Sequence, residues 1–251
     1  MAPDVRMSYL PAMSYPDNHD TPSGEDAAPD WADETEARLL EAAVRCVAEH
    51  GRWDARLVER AAKEVGLSRE ACELLLPHGP RDLAALLARR HDALTAARLA
   101  AIDPAGLRIR ERITTAVRTR IAVAMEDEAA VRRSLGFLAL PGNAPLAGRL
   151  MWAAADQLWR WAGDTATDFN HYSKRAILST VLASTLAVRL ARDEAAAETH
   201  LAARIEGVMA FEKAKAGVKL DPEGTARSVA GLLARLRFGR PVSPPAPPSA
   251  G

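Results

Sequence analysis

Between residues 33 and 217 the chain is punctuated as a series of helices, and this constrains its fold more than any other feature. Alanine, leucine and arginine dominate the region, and β-branched residues almost never alternate with polar ones at a period of two. Asp33 with Glu36 reads as a capping box, Leu40, Val44 and Val47 follow at helical spacing, and Gly51 supplies a left-handed stop. Asp54 is placed to cap a second helix carrying Leu57, Val58 and Ala61, which Gly66 ends. Ser68 opens a short third helix that must finish before Pro77. Helix, tight glycine turn, short helix is helix-turn-helix grammar.

Longer helices are expected over about 81–101, 107–126 and 128–140, and, past the Pro141-Gly142-Asn143-Ala144-Pro145 turn, over 146–161, 168–192 and 194–216. The expected fold is all-α: a helix-turn-helix-like part over 33–79, then an antiparallel bundle over 80–217. That is a TetR-like layout, whose bundles commonly enclose an apolar cavity. Residues 1–32 read as a disordered arm, acidic and with Arg6 as its single cation, unlike a signal or transit peptide. The tail, 241–251, holds five prolines and no charge and reads as extended. Residues 218–240 read as an amphipathic helix starting at Pro222, with Val229, Leu232, Leu233 and Leu236 on an apolar side and Arg227, Arg235 and Arg237 mostly off it. Those seven are the expected membrane-binding residues; the competing reading lays the helix on the bundle or on a neighbouring subunit.

Charge argues against nucleic acid as the partner. Lysine plus arginine total 33 and aspartate plus glutamate 33, so there is no global field to draw the chain to phosphate. Over residues 34–92, ten basic side chains face eleven acidic ones, and the short third helix offers only Arg69 beside Glu70 and Glu73. A TetR-type, ligand-responsive DNA-binding repressor is therefore the alternative reading. Cys46 and Cys72 lie inside helical patterns and read as reduced, buried thiols. The uncharged stretch 176–188, between Arg175 and Arg189, is shorter than the roughly 18–20 residues a membrane span needs.

No catalytic constellation emerges. Asp168 and His171 stand three apart, but two ligands on one helix do not make a metal site, and no Glu-x-x-His pair occurs. His50, His78, His91 and His200 read as surface or capping residues. With no phosphate loop or nucleophile elbow either, the chain reads as a non-enzyme with neither cofactor nor metal.

One stretch is chemically distinctive. Trp152, Trp159 and Trp161 place three of the five tryptophans within ten residues. They lead into Trp159-x-x-Ala162-Gly163-Asp164-x-x-Thr167-Asp168-Phe169-Asn170-x-Tyr172-x-x-Arg175-Ala176, preceded by Leu140-Pro141-x-Asn143-x-Pro145. This pattern resembles the accessory protein family of ubiquinone biosynthesis, and a weaker resemblance runs over about 36–240. Where that family carries tryptophan between the asparagine and the tyrosine, this chain has His171. The resemblance implies a repressor-like fold and a non-catalytic protein that binds an isoprenoid quinone or phospholipid. It also implies presentation of that lipid to the di-iron demethoxyubiquinone hydroxylase, with the chemistry in the partner.

From a cap at Asp168, Phe169, Tyr172 and Ala176 share one helical face, with Lys174 and Arg175 largely off it. Aromatic anchors beside arginine are the side chains enriched at binding hot spots. The expected partner-binding residues are Trp159, Asp164, Thr167, Asp168, Phe169, Tyr172, Lys174 and Arg175. No lining can be assigned to a lipid cavity from periodicity, and the stripe Ile177, Val181, Ser184, Val188 reads as core. Long last helices leave room for a homodimer, and the expected location is the cytoplasm, peripherally on the inner membrane of a bacterium.

Overall fold

The structure, a computed structural model, describes residues 31–164 and 169–217; among these are nine α-helices, two short 3-10 turns and no strand. Helices α1 (Trp31–His50), α2 (Ala55–Glu64) and α3 (Arg69–Leu75) form the front part. The Asp54 carboxylate accepts from the Leu57 amide at 3.1 Å, and the Ser68 hydroxyl accepts from the Ala71 amide at 3.2 Å, so both expected caps close their helices. Gly66, at φ 72°, ends α2 in a Schellman turn in which the Leu67 amide donates to Ala62 and the Gly66 amide to Lys63.

The start of α1 differs from the expected capping box. The helix already begins at Trp31, which puts Asp33 inside its first turn, where its charge complements the positive end of the helix. Glu36 is engaged elsewhere, with Arg89 at 3.2 Å. In α3, Arg69 is tied to Glu73 at 2.8 Å and Leu74 is 77% exposed, so the helix in the recognition position shows solvent a neutralised cation and a leucine.

The bundle comprises α4 (Pro80–Ala100), α5 (Ile109–Glu126), α6 (Glu128–Leu138), α7 (Ala144–Trp161), α8 (Phe169–Ala191) and α9 (Glu194–Gly217). One apolar cluster joins the front part to the bases of α4, α6 and α8 through Leu39, Leu57, Leu83, Leu138 and Leu186. A second, around Val117, Leu158, Leu178, Leu182 and Leu201, fills the space between α5, α7, α8 and α9. Buried Asn143 fixes the turn before α7: its amide donates to the Phe137 carbonyl at 2.9 Å, while its carbonyl accepts from Arg81 at 2.8 Å.

His91 is neither a surface nor a capping residue. It is 2% exposed, with Nε2 2.8 Å from Asp127, whose carboxylate is shared with Arg90. Its position in the buried series Leu83, Leu87, His91, Thr95, Leu99, each four residues apart, turns it inward. Burial pushes its pKa below the ordinary value, outweighing the Asp127 contact, so the ring is neutral at pH 7. Beside it, Arg120 is 5% exposed and donates to Asp92 at 2.9 Å.

No helix among the described residues is long and apolar enough to cross a membrane. The expected membrane-binding residues, Arg227 to Arg237, lie outside the described residues, as do the arm before residue 31 and the tail.

Candidate functional site

The distinctive sequence stretch forms the junction between α7 and α8. Helix α7 ends in a second Schellman turn: the Asp164 amide donates to Trp159 and the Gly163 amide to Arg160, both at 3.0 Å. Gly163 has φ 88°, a left-handed conformation that side chains resist, and a Cβ there would stand 3.2 Å from Nη1 of Arg112. That arginine donates to the carbonyls of Ala162 at 3.0 Å and Leu107 at 2.8 Å, stitching the start of α5 to the end of α7. Nε1 of Trp161 likewise donates to the Leu99 carbonyl at 2.9 Å, holding the end of α4. The junction is thus anchored on two other helices before α8 begins.

Arg175, nearly two turns into α8, points back into this junction rather than outward. Its side chain is 2% exposed and donates to Asp156 through Nε, to Asp164 through Nη1 at 2.9 Å and to the His171 carbonyl at 3.2 Å. Lys174 reaches the other oxygen of Asp164 at 2.6 Å. Its ammonium lies 5.3 Å from the centre of the Trp159 ring, and the Trp159 indole donates to the Lys174 carbonyl at 3.0 Å. Burial opposes ionisation of Asp164, but donation from Lys174 and Arg175 outweighs it and holds the carboxyl below its usual pKa. Burial also works against the charge on Arg175, and the two aspartates more than restore it.

The eight expected partner-binding residues therefore separate into different places. Asp164 and Arg175 are inside, shaping the turn, and Trp159 and Lys174 are partly exposed beside it. Tyr172 is 61% exposed, with its ring centre 5.2 Å from His171 and 6.1 Å from Trp152, and exposed Ala176 continues its face. Thr167 and Asp168 lie outside the described residues, and so does the side chain of Phe169, which opens α8. Asp156, which sequence reasoning passed over, and Trp152, named in the distinctive stretch but not among the partner-binding residues, belong to the same arrangement. An inward signal for Asp156 was present in the buried Ala155 and Leu158 that flank it on α7.

Beneath the junction lies a cleft between α5, α7, α8 and α9, with a cavity volume of about 170 Å³. A cavity of ~150 Å³ accommodates a benzene-sized molecule. Trp159 and Lys174 form its wall on the junction side, Ile177, Leu178 and Val181 its α8 wall, and Ile205, Val208 and Met209 its α9 wall. Two members of the stripe expected to be plain core, Ile177 and Val181, thus face this cleft. Ser184 instead hydrogen bonds to the Val181 carbonyl and meets His200 at 3.1 Å, away from it. No group of three or more His, Cys, Asp or Glu side chains among the described residues is placed to share a metal ion.

Residues 144–212, from the start of α7 to near the end of α9, match the model of the COQ9 family. The matched segment holds the whole α7–α8 junction and every cleft residue contributed by α7, α8 and α9. The chain is 28% identical over 191 residues to the ubiquinone biosynthesis protein COQ9, mitochondrial, of Homo sapiens, covering 73% of this chain and 58% of that protein. The Rattus norvegicus protein of the same name is 28% identical, covering 70% of this chain and 58% of the relative, and that of Bos taurus 29%, covering 59% and 48%. The chain spans somewhat over half the length of the human and rat relatives.

Proposed function

We propose that this protein is a non-catalytic, lipid-binding component of ubiquinone biosynthesis. In this reading it binds an isoprenoid quinone intermediate or a phospholipid and presents it to the demethoxyubiquinone hydroxylase, which performs the chemistry. One observation carries the reading: the segment that matches the COQ9 family model supplies three of the four helices that wall the apolar cleft, and Trp159 and Lys174 belong both to the distinctive junction and to the cleft. A cleft with an apolar floor suits a hydrocarbon chain, whose burial is favoured by roughly 25 cal/mol per Å² of apolar surface. The exposed Tyr172, with Trp152 and His171 beside it, gives the hydroxylase an aromatic anchor next to the lipid. In the same proposal, the segment 222–238 docks the protein peripherally on an anionic membrane, and the bundle pairs with a second copy.

Native mass spectrometry of the protein purified from cells that make ubiquinone tests the reading. An isoprenoid quinone intermediate retained at close to one per chain supports it. A lipid-free protein that retards a specific operator fragment against competitor DNA overturns it in favour of a repressor.

A further inference from the structure

The cleft is built with a polarity of its own. The lining divides by exposure: Ile109 and Met209, 46% and 45% exposed, and the exposed Arg110 mark its mouth, with Lys174 partly exposed. Deeper in, Ile113, Leu178, Val181 and Ile205 are all buried and form an apolar floor. Among the described residues the lining thus contains two cations, the exposed Arg110 and the partly exposed Lys174, and no acid.

The cations are not equivalent. Lys174 is held by Asp164 and the Trp159 face, so its charge is matched within the protein. Just outside the lining, the neighbouring arginines are matched too: Arg108 by Glu111 at 2.8 Å, and Arg118 by Glu198. Arg110, by contrast, is exposed and makes no side-chain hydrogen bond or ion pair with any described residue. A guanidinium presents several N–H donors in a plane that matches a carboxylate or phosphate.

From the apolar floor and the unmatched guanidinium at the mouth, we infer that the cleft selects an amphiphile with an anionic head, held by Arg110, over a neutral one with the same chain. The inference rests on the lipid-binding reading above and, of the two ligands named there, favours the phospholipid, whose phosphate is anionic, over the uncharged quinone. The tail lies along Leu178 and Val181, and the head stays at the water boundary between Arg110 and Lys174. Leaving the head there avoids the desolvation that a buried anion would suffer. Selectivity therefore comes from one partly solvated charge contact and weakens as salt rises.

The test compares dodecanoate with dodecanol, both below their aggregation limits, binding to the full chain at pH 7.5 by equilibrium dialysis. Dodecanoate should bind about fivefold more tightly, the scale of one partly solvated ion pair. Arg110→Gln should erase that preference while leaving dodecanol binding and the thermal midpoint unchanged, and Arg149→Gln, an exposed change on α7 away from the cleft, should preserve it. Equal binding of the two probes by the unaltered chain, or a preference surviving in Arg110→Gln, overturns the inference while leaving lipid binding intact. If neither probe binds, the lipid-binding reading fails and the inference falls with it.

Discussion

Arg175 and Asp164 meet 2.9 Å apart across the α7–α8 junction, with side chains only 2% and 5% exposed. Removing one member of a buried pair strands the other, at ~3–5 kcal/mol, rather than merely losing an attraction. Because Arg175 keeps Asp156, Asp164→Ala is expected near the lower figure, about 3 kcal/mol. Urea unfolding followed by circular dichroism checks it; a loss under about 1 kcal/mol would mean that the junction relaxes around the missing carboxylate.

The same pair fixes a pH dependence. The Asp164 pKa is held below its unfolded value, so the native carboxyl stays ionised where the unfolded one takes up a proton. Its contribution is complete above the unfolded pKa, about 3.9, and is lost as pH falls through the lower native value. The unfolding midpoint of the unaltered chain should therefore drop more steeply below about pH 4 than that of Asp164→Asn.

His91 acts at higher pH. Burial depresses its native pKa, so between that value and the unfolded one, about 6.5, only the unfolded chain takes up the proton. Its contribution to stability is complete above pH 6.5 and falls as pH decreases through that window. Asp127, Arg90, Arg120 and Asp92 surround the ring, and the Asp127 pKa is itself lowered, first by the His91 contact and then by Arg90. His91→Gln should flatten the slope of unfolding free energy between pH 7 and pH 5.5, even though it lowers stability at pH 7. An unchanged slope would place the titration in other groups.

Two glycine turns separate backbone strain from crowding. Gly66 and Gly163 both have positive φ, but a Cβ on Gly66 meets nothing within 4 Å, whereas on Gly163 it meets Arg112 at 3.2 Å. Gly66→Ala is expected to cost about 1 kcal/mol from the left-handed backbone alone. Gly163→Ala should cost measurably more, because Arg112 must also give up its hold on the Ala162 carbonyl. Equal thermal shifts in the two variants would remove Arg112 from the account.

Local signals in the sequence were legible where the chain acts on itself within a few residues. Asp54 and Ser68 cap, and Gly51 and Gly66 stop, because capping and left-handed turns are decided by neighbours in sequence. The burial of His91 was also readable, from its place among leucines four apart, but a titratable side chain in an apolar stripe invites a surface reading. Arg175 was misleading for the opposite reason: its partners Asp156 and Asp164 lie across a turn, and the helical face alone cannot show that the chain folds back. Ile177 and Val181 carry the same periodic pattern whether they face a cleft or a solid core. The contact of Arg81 with Asn143 joins residues 62 apart, which no local pattern encodes.

Tyr172 separates partner binding from folding. Its side chain is 61% exposed beside the rings of Trp152 and His171, so removing it opens no core cavity. Exposed substitutions of this kind change stability by only about 0.5 kcal/mol either way. Truncating a central aromatic at an interface instead costs about 2–4 kcal/mol of binding. If the hydroxylase docks on this face, Tyr172→Ala should weaken association at least about thirtyfold, the equivalent of the lower figure. The circular dichroism spectrum and melting temperature should stay unchanged. Arg175→Ala is the necessary contrast: it should weaken association only together with a fall in melting temperature, because its charge is buried in the junction. Surface plasmon resonance with immobilised hydroxylase reads the first effect and a thermal melt the second. Full affinity in Tyr172→Ala would move the interface off the α7–α8 junction, whereas a loss confined to Arg175→Ala would show that the partner reads the shape of the turn rather than its aromatic face.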